Sequence, residues 1–139
     1  MSQWIGAART NFFQVIDEAK FREWAAEREL SVETKATGGT TLFGIYSETD
    51  DGGWPTQTWP DSEDDPIEVD MVAELAAHLV EGQVAVLIEV GHVKCCHLDG
   101  NAVAVNHTGA RATVELSHIY QLAAETFGIP GDQITDCRN

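Results

Sequence analysis

Positive charge is what this chain has least of. Only eight of its 139 residues are Lys or Arg, and none falls between Lys35 and Lys94, an interval that holds twelve Asp and Glu residues. A surface so poor in cations has no patch with which to displace counterions from DNA, RNA or an anionic bilayer, so direct binding to nucleic acid or membrane is not expected. Long apolar runs are missing too. None approaches the roughly 18 residues that span a bilayer, and the opening MSQWIGAARTNFF has no apolar core of a signal peptide. Cysteine is scarce: Cys95, Cys96 and Cys137 are an odd number with two adjacent, which is no disulfide framework. The expected setting is cytoplasmic and reducing. Phosphate-binding loops, the dinucleotide fingerprint GxGxxG and the nucleophile elbow GxSxG are all absent.

What is present is enough apolar material for a core. Hydrophobic residues make up 43% of the sequence, a globular rather than a disordered composition. The length fits one domain spanning residues 1–139. The formal net charge is −15, and self-repulsion of that size works against a compact state. The charge is placed unevenly. Residues 1–35 are near balance, with five bases and six acids, whereas 36–93 have acids alone. Acidity kept only for solubility would spread over the whole surface, so this asymmetry points to a dedicated acidic face.

Hydrophobic periodicity gives the elements. Residues 10–16 (TNFFQVI) read as a strand, and Asp17 as the N-cap of a helix over 18–29 with Phe21, Trp24, Ala25 and Leu30 on one side. Residues 31–37 and 40–48 form a hairpin about Gly38-Gly39. A second helix follows Asp70, with Met71, Val72, Leu75, Leu79 and Val80 as its apolar stripe and Gly82 closing it. Residues 84–90 (VAVLIEV) are continuously apolar, as in a central strand. HVKCCHL and NAVAVNHT come next, with a turn at Asp99-Gly100, and then RATVELS. Ser117 caps a last helix that buries Ile119, Leu122, Ala123 and Phe127. The order β-α-β-β-α-β-β-β-α predicts an α+β domain with a mostly antiparallel sheet, about three helices on one face, and a ferredoxin-like variant as one fitting arrangement.

Chemistry-bearing residues are few. His92, Cys95, Cys96 and His97 have the donor types of a zinc site. Their spacing matches no finger or ribbon, and adjacent cysteines on a strand point to opposite faces. A thiol nucleophile at Cys96 has no orienting partner in the sequence. DSEDDPIEVD has acids without the glycine and spacing of a calcium loop. No cofactor, metal or catalytic residue is therefore assigned, and the chain is not read as an enzyme.

The segment 47–70, SETDDGGWPTQTWPDSEDDPIEVD, holds nine acids and no base. Duplex DNA carries one negative charge per roughly 1.7 Å of axis, and a protein occupying a DNA-binding groove needs carboxylates at comparable density. Asp50, Asp51, Asp61, Glu63, Asp64, Asp65, Glu68, Asp70 and Glu74 meet that need, with Trp54 and Trp59 as rigid anchors. Proline at 55, 60 and 66 stiffens the loop and lowers the entropy lost on binding. The competing reading is a solvated acidic loop whose tryptophans fold back on the core.

Three stretches, RTNFFQVIDEAKFREW, DMVAELAAHLVEGQVAVLIEVG and AVAVNHTGARATVELSHIYQLA, resemble small acidic proteins encoded by phages and plasmids, of the anti-CRISPR and antirestriction type. The resemblance implies a non-enzymatic inhibitor in a bacterial host cell that blocks a nucleic-acid-targeting defence complex by presenting a DNA-like surface. The alternatives are an immunity protein or antitoxin neutralising a basic nuclease toxin, a small metal- or thiol-dependent enzyme built on the His/Cys cluster, and a housekeeping domain without a specific partner.

Overall fold

Thr10 ends the first strand rather than beginning it. The computed structural model describes residues 5–58, 67–93 and 97–135, and in it β1 is Ile5–Thr10, IGAART. Gly and Ala form strands poorly on their own. This strand is held by its neighbours instead, lying between β3 (Thr40–Ser47) and β6 (Val84–Val93). The aromatic run expected as a strand leaves the sheet as a link. Phe13 keeps one bridge to Phe43, Val15 keeps one to Leu79, and Phe13 is fully buried.

The link delivers the chain to α1 (Glu18–Glu27), whose N-cap Asp17 accepts a hydrogen bond from the Lys20 N–H at 3.1 Å. Glu29 then takes a left-handed conformation, φ 57°, and turns the chain into β2 (Leu30–Thr37). β2 and β3 are a tight hairpin whose turn residues Gly38 and Gly39 both have positive φ, as its twist requires. A long acidic connection carries a two-stranded ribbon of β4 (Gln57–Thr58) and β5 (Ile67–Glu68). It leads to α2 (Met71–Ala76), shorter than its apolar stripe suggested. β6 pairs over ten residues with β7 (His97–Asn106), which pairs with β8 (Arg111–Glu115). α3 (His118–Phe127) and a short 3-10 turn follow.

The sheet order is β2-β3-β1-β6-β7-β8, antiparallel throughout. β3 lies between β1 and β2, and β1 lies between β3 and β6, so each helical crossover skips one strand. That is the split β-α-β of a ferredoxin-like sheet, extended by β7 and β8. The α+β architecture agrees with the sequence pattern. Asp99-Gly100, expected as a turn, sits within β7, where Gly100 pairs with Val90. A ten-rung ladder outweighs the local preference of that dipeptide.

Strand alternation divides the sheet into two unlike faces. Thr10, Phe43, Ile45, Ala85, Leu87 and Val105 point to the helical side and are buried. There they meet Phe21, Trp24 and Ala25 of α1 and Met71, Leu75 and Ala76 of α2. Phe21 is central: its ring lies 5.8–6.0 Å from Phe13, Trp24 and Phe43. Thr10, the buried polar side chain, is satisfied by the Ile45 N–H at 2.9 Å. α3 departs from expectation. Ile119, Leu122 and Phe127 are 56–72% exposed, and no residue of the helix is buried, because α3 projects past the edge strand instead of covering the sheet. Among the described residues, no helix is long and apolar enough to cross a membrane.

Because Phe21 is fully buried and touches the rings of Phe13, Trp24, Phe43 and His78, Phe21→Ala removes packing on every side at once. The expected loss is about 3–5 kcal/mol of unfolding free energy, measured by chemical denaturation.

Candidate functional site

The acidic connection from β3 to α2 is fastened to the sheet at both of its ends. At the first, the Gly6 N–H donates to the Asp51 carbonyl at 2.7 Å, so the loop lies beside the start of β1. Gly52 follows with φ 82°, and a Cβ there would collide with the Gly6 carbonyl; glycine alone permits this approach. The Ser47 and Thr49 hydroxyls both donate to the Gly53 carbonyl at 2.6 Å, and the Asp51 carboxylate accepts from the Gly53 N–H at 2.9 Å. The chain then crosses to the helical side, where the Trp54 N–H donates to Glu89 Oε2 at 2.7 Å. Glu89 belongs to the apolar run of β6. Its register opposite Ala8 and Asn101 turns its carboxylate inward.

Trp54 packs against the core from the partly buried margin. It borders a hollow of about 280 Å³ with Met71, Leu87, Val103, Asp70 and Arg111. Asp50, Asp51 and Glu68 are exposed, and among the described residues none of the three is ion-paired.

Asp70 and Glu74 have structural partners. Asp70 caps α2 by accepting from the Ala73 N–H at 3.2 Å, and its other oxygen meets Arg111 at 2.7 Å. Arg111 foremost, with the helix N–H groups, holds its carboxyl below the ordinary range. Glu74 accepts from Arg28 Nε at 2.9 Å, Arg28 Nη2 at 3.2 Å and Trp24 Nε1 at 2.8 Å. The Arg28 fork lowers the Glu74 pKa and Glu74 in turn raises that of Arg28. One turn on, His78 lies against the rings of Trp24 and Phe21 at 5.1 and 5.7 Å. Burial among them lowers its pKa, against the opposing pull of Glu74 and Asp17.

Trp59, Asp61, Glu63, Asp64 and Asp65 lie outside the described residues, as do Cys95, Cys96 and the His97 side chain. His92 is on β6, on the side away from the helices, opposite Leu98 and Ile5. Among the described residues, no group of three His, Cys, Asp or Glu side chains converges as a metal cage. The structure adds Glu89, Arg28, Arg111 and His78 to the region. Glu89 alone left a trace in the sequence, as the single carboxylate in an otherwise apolar strand.

Stability is expected to fall in two stages on acidification. His78 has a folded pKa below its ordinary 6.5, so the unfolded chain takes up the proton first and stability declines as pH drops below about 6.5. Asp70 and Glu74, with depressed pKa values, contribute stability that is present above the ordinary carboxylate range and lost as pH falls through their folded values. Urea unfolding from pH 7.5 to 3 measures both stages. In His78→Leu the first stage should vanish and the second should stay.

Comparison with protein-family models, with curated proteins and with solved structures returned no match.

Proposed function

We propose that the chain is a non-enzymatic inhibitor whose acidic connection takes the place of a phosphate backbone on a basic, nucleic-acid-binding protein of a bacterial defence system. The observation that carries the reading is the charge distribution: twelve acids and no base over 36–93, in a protein of net charge −15. The fastening of this segment supports it. Asp51, Gly52 and Gly53 are held against the start of β1 and Trp54 against Glu89, so Asp50 and Asp51 are presented from a fixed frame, and less entropy is lost on binding. Asp50, Asp51 and Glu68 face solvent with no ion pair among the described residues. Asp70 and Glu74, paired with Arg111 and Arg28, serve the fold by holding the end of the connection in place.

Such a surface associates by electrostatic steering, so its on-rate falls steeply with salt. The test separates charge from folding by sparing Asp70, Glu74 and Trp54. A tagged chain is bound to a purified nucleic-acid-targeting effector captured from a host that carries CRISPR or restriction machinery. Duplex DNA should compete with it. Reversing Asp61, Glu63, Asp64 and Asp65 to Lys should lower affinity by at least about a hundredfold at unchanged melting temperature; like-charge juxtaposition costs several kcal/mol and a factor of ten is about 1.4 kcal/mol. Full inhibition by the folded quadruple variant, or binding indifferent to DNA, would refute the reading.

A further inference from the structure

Among the described residues no helix is buried on the side of the sheet away from α1 and α2, where Leu116 lies over Gly100 and Phe12 over Gly44. Its outward positions along β6 from Val84 to Val90, and on β8, are apolar where a solvated face would be polar. Ile88 and Val90 of β6 are both 47% exposed and Val114 of β8 is 61% exposed. In the register, Ala102 lies opposite Ile88, and Val114 opposite Ala102. Next to them Gly6 and Ala7 of β1 form the floor of a groove of about 620 Å³, with Ile88 and Val90 on one bank and Tyr46 and Arg9 on the other. Small residues at the floor and large ones at the banks give this surface the depth to take a helix.

The chain also carries an exposed helix of matching character, whose Ile119 and Leu122 border an open hollow with Val114 and Leu116 of the same chain. In α3, Ile119, Leu122, Ala123 and Phe127 recur at i, i+3, i+4 and i+8, the spacing of a docking stripe. We infer that the occupant of the groove is α3 of a second copy of this chain, in a reciprocal two-fold dimer where each helix lies on the partner's open sheet face.

Three observations favour a second copy. First, α3 is joined to the edge strand by a short connection. Only Leu116 and Ser117 separate it from β8, the Leu116 N–H still bonds the Gly100 carbonyl at 3.0 Å, and the Ile119 N–H bonds Leu116 at 3.1 Å. A helix launched from the last rung of an edge strand by so short a hinge favours exchange between protomers. Second, a chain of charge −15 repels its copies except where the meeting faces are nearly neutral. α3 holds one acid, Glu125, and no base. The outward positions of β6 from Val84 to Val90 hold no charge, while Arg9 stands on the bank of the groove. Third, reciprocity doubles the contact. A ten-residue helix about 15 Å long and about 10 Å across covers about 150 Å² of the partner's sheet. Each protomer contributes both a helix face and a covered sheet patch, about 300 Å² in projection, the scale of a small, weakly associating interface.

Sedimentation equilibrium of the full chain near 50 μM should give twice the 15.2 kDa protomer mass. Leu122→Asp places a charge at the centre of the docking stripe and should raise the dimer dissociation constant by more than about a hundredfold. Since α3 buries nothing in its own protomer, its melting temperature at low concentration should not change, and this result stands alone should a sheet variant misfold. Ile88→Asp should dissociate the dimer from the other side. Mixing the two variants leaves one intact helix and one intact sheet face, so a 1:1 dimer should return. A monomeric wild-type chain overturns the inference, as does a Leu122→Asp variant that stays dimeric, or two folded variants that do not pair. None of these outcomes depends on the acidic connection.

Discussion

The structure depends on a central strand that is apolar on both of its faces. β6 sends Ala85 and Leu87 toward the helices and Val86, Ile88 and Val90 the other way. A strand of this kind ordinarily sits in a sheet covered on both sides. Here α1 and α2 cover one side only. The inward half of the strand organises the core. Its one polar member, Glu89, seats the acidic connection by accepting from the Trp54 N–H. The outward half leaves an apolar plane that a monomer in water keeps at a cost of about 25 cal/mol for every Å² left uncovered.

The second constraint is electrostatic. With eight cations for 23 acids, each cation that pairs is a choice. Arg28 is given to Glu74 at the seam between α1 and α2, in a half-buried site where both oxygens of the carboxylate are used. Arg111 is given to Asp70, fastening the start of α2 to the edge strand β8. The other two pairs, Arg9 with Glu33 and Arg22 with Glu18, are largely exposed and contribute little. The two pairs at α2 are where the acidic segment rejoins the fold, so cations are spent on holding its end in place and not on neutralising its exposed carboxylates.

The same particulars show how far the sequence was readable. Asp17, the Phe21, Trp24 and Ala25 stripe, and the Gly38-Gly39 turn carry local signals, and the structure uses each of them locally. β1 carried none: IGAART has weak strand propensity and is a strand because β3 and β6 pair with it on either side. Asp99-Gly100 carried a misleading one, overridden by the β6–β7 ladder. α3 read as a core helix because its periodicity is that of a buried face. Periodicity records that a face is apolar and does not record what it meets. Of the acidic region, the exposure of Asp50, Asp51 and Glu68 was legible as a basic-free run. The ties of Asp70 and Glu74 to Arg111 and Arg28 join residues 41 and 46 apart, beyond the reach of any local pattern.

These constraints fit together in space. Glu68, Asp70 and Glu74 lie with α2 on the helical side of the sheet, and the apolar plane is on the opposite side. Covering the plane with a second copy therefore leaves those carboxylates exposed to solvent. It also doubles their number on one particle. A basic partner with two sites, or two subunits side by side, would then meet two acidic connections at once, and the second contact would form at an effective concentration set by the rigid dimer rather than by solution. Because like charges on the two protomers repel, the dimer gains most where its acidic regions are kept farthest apart. An interface through the face opposite those groups is the arrangement that achieves this.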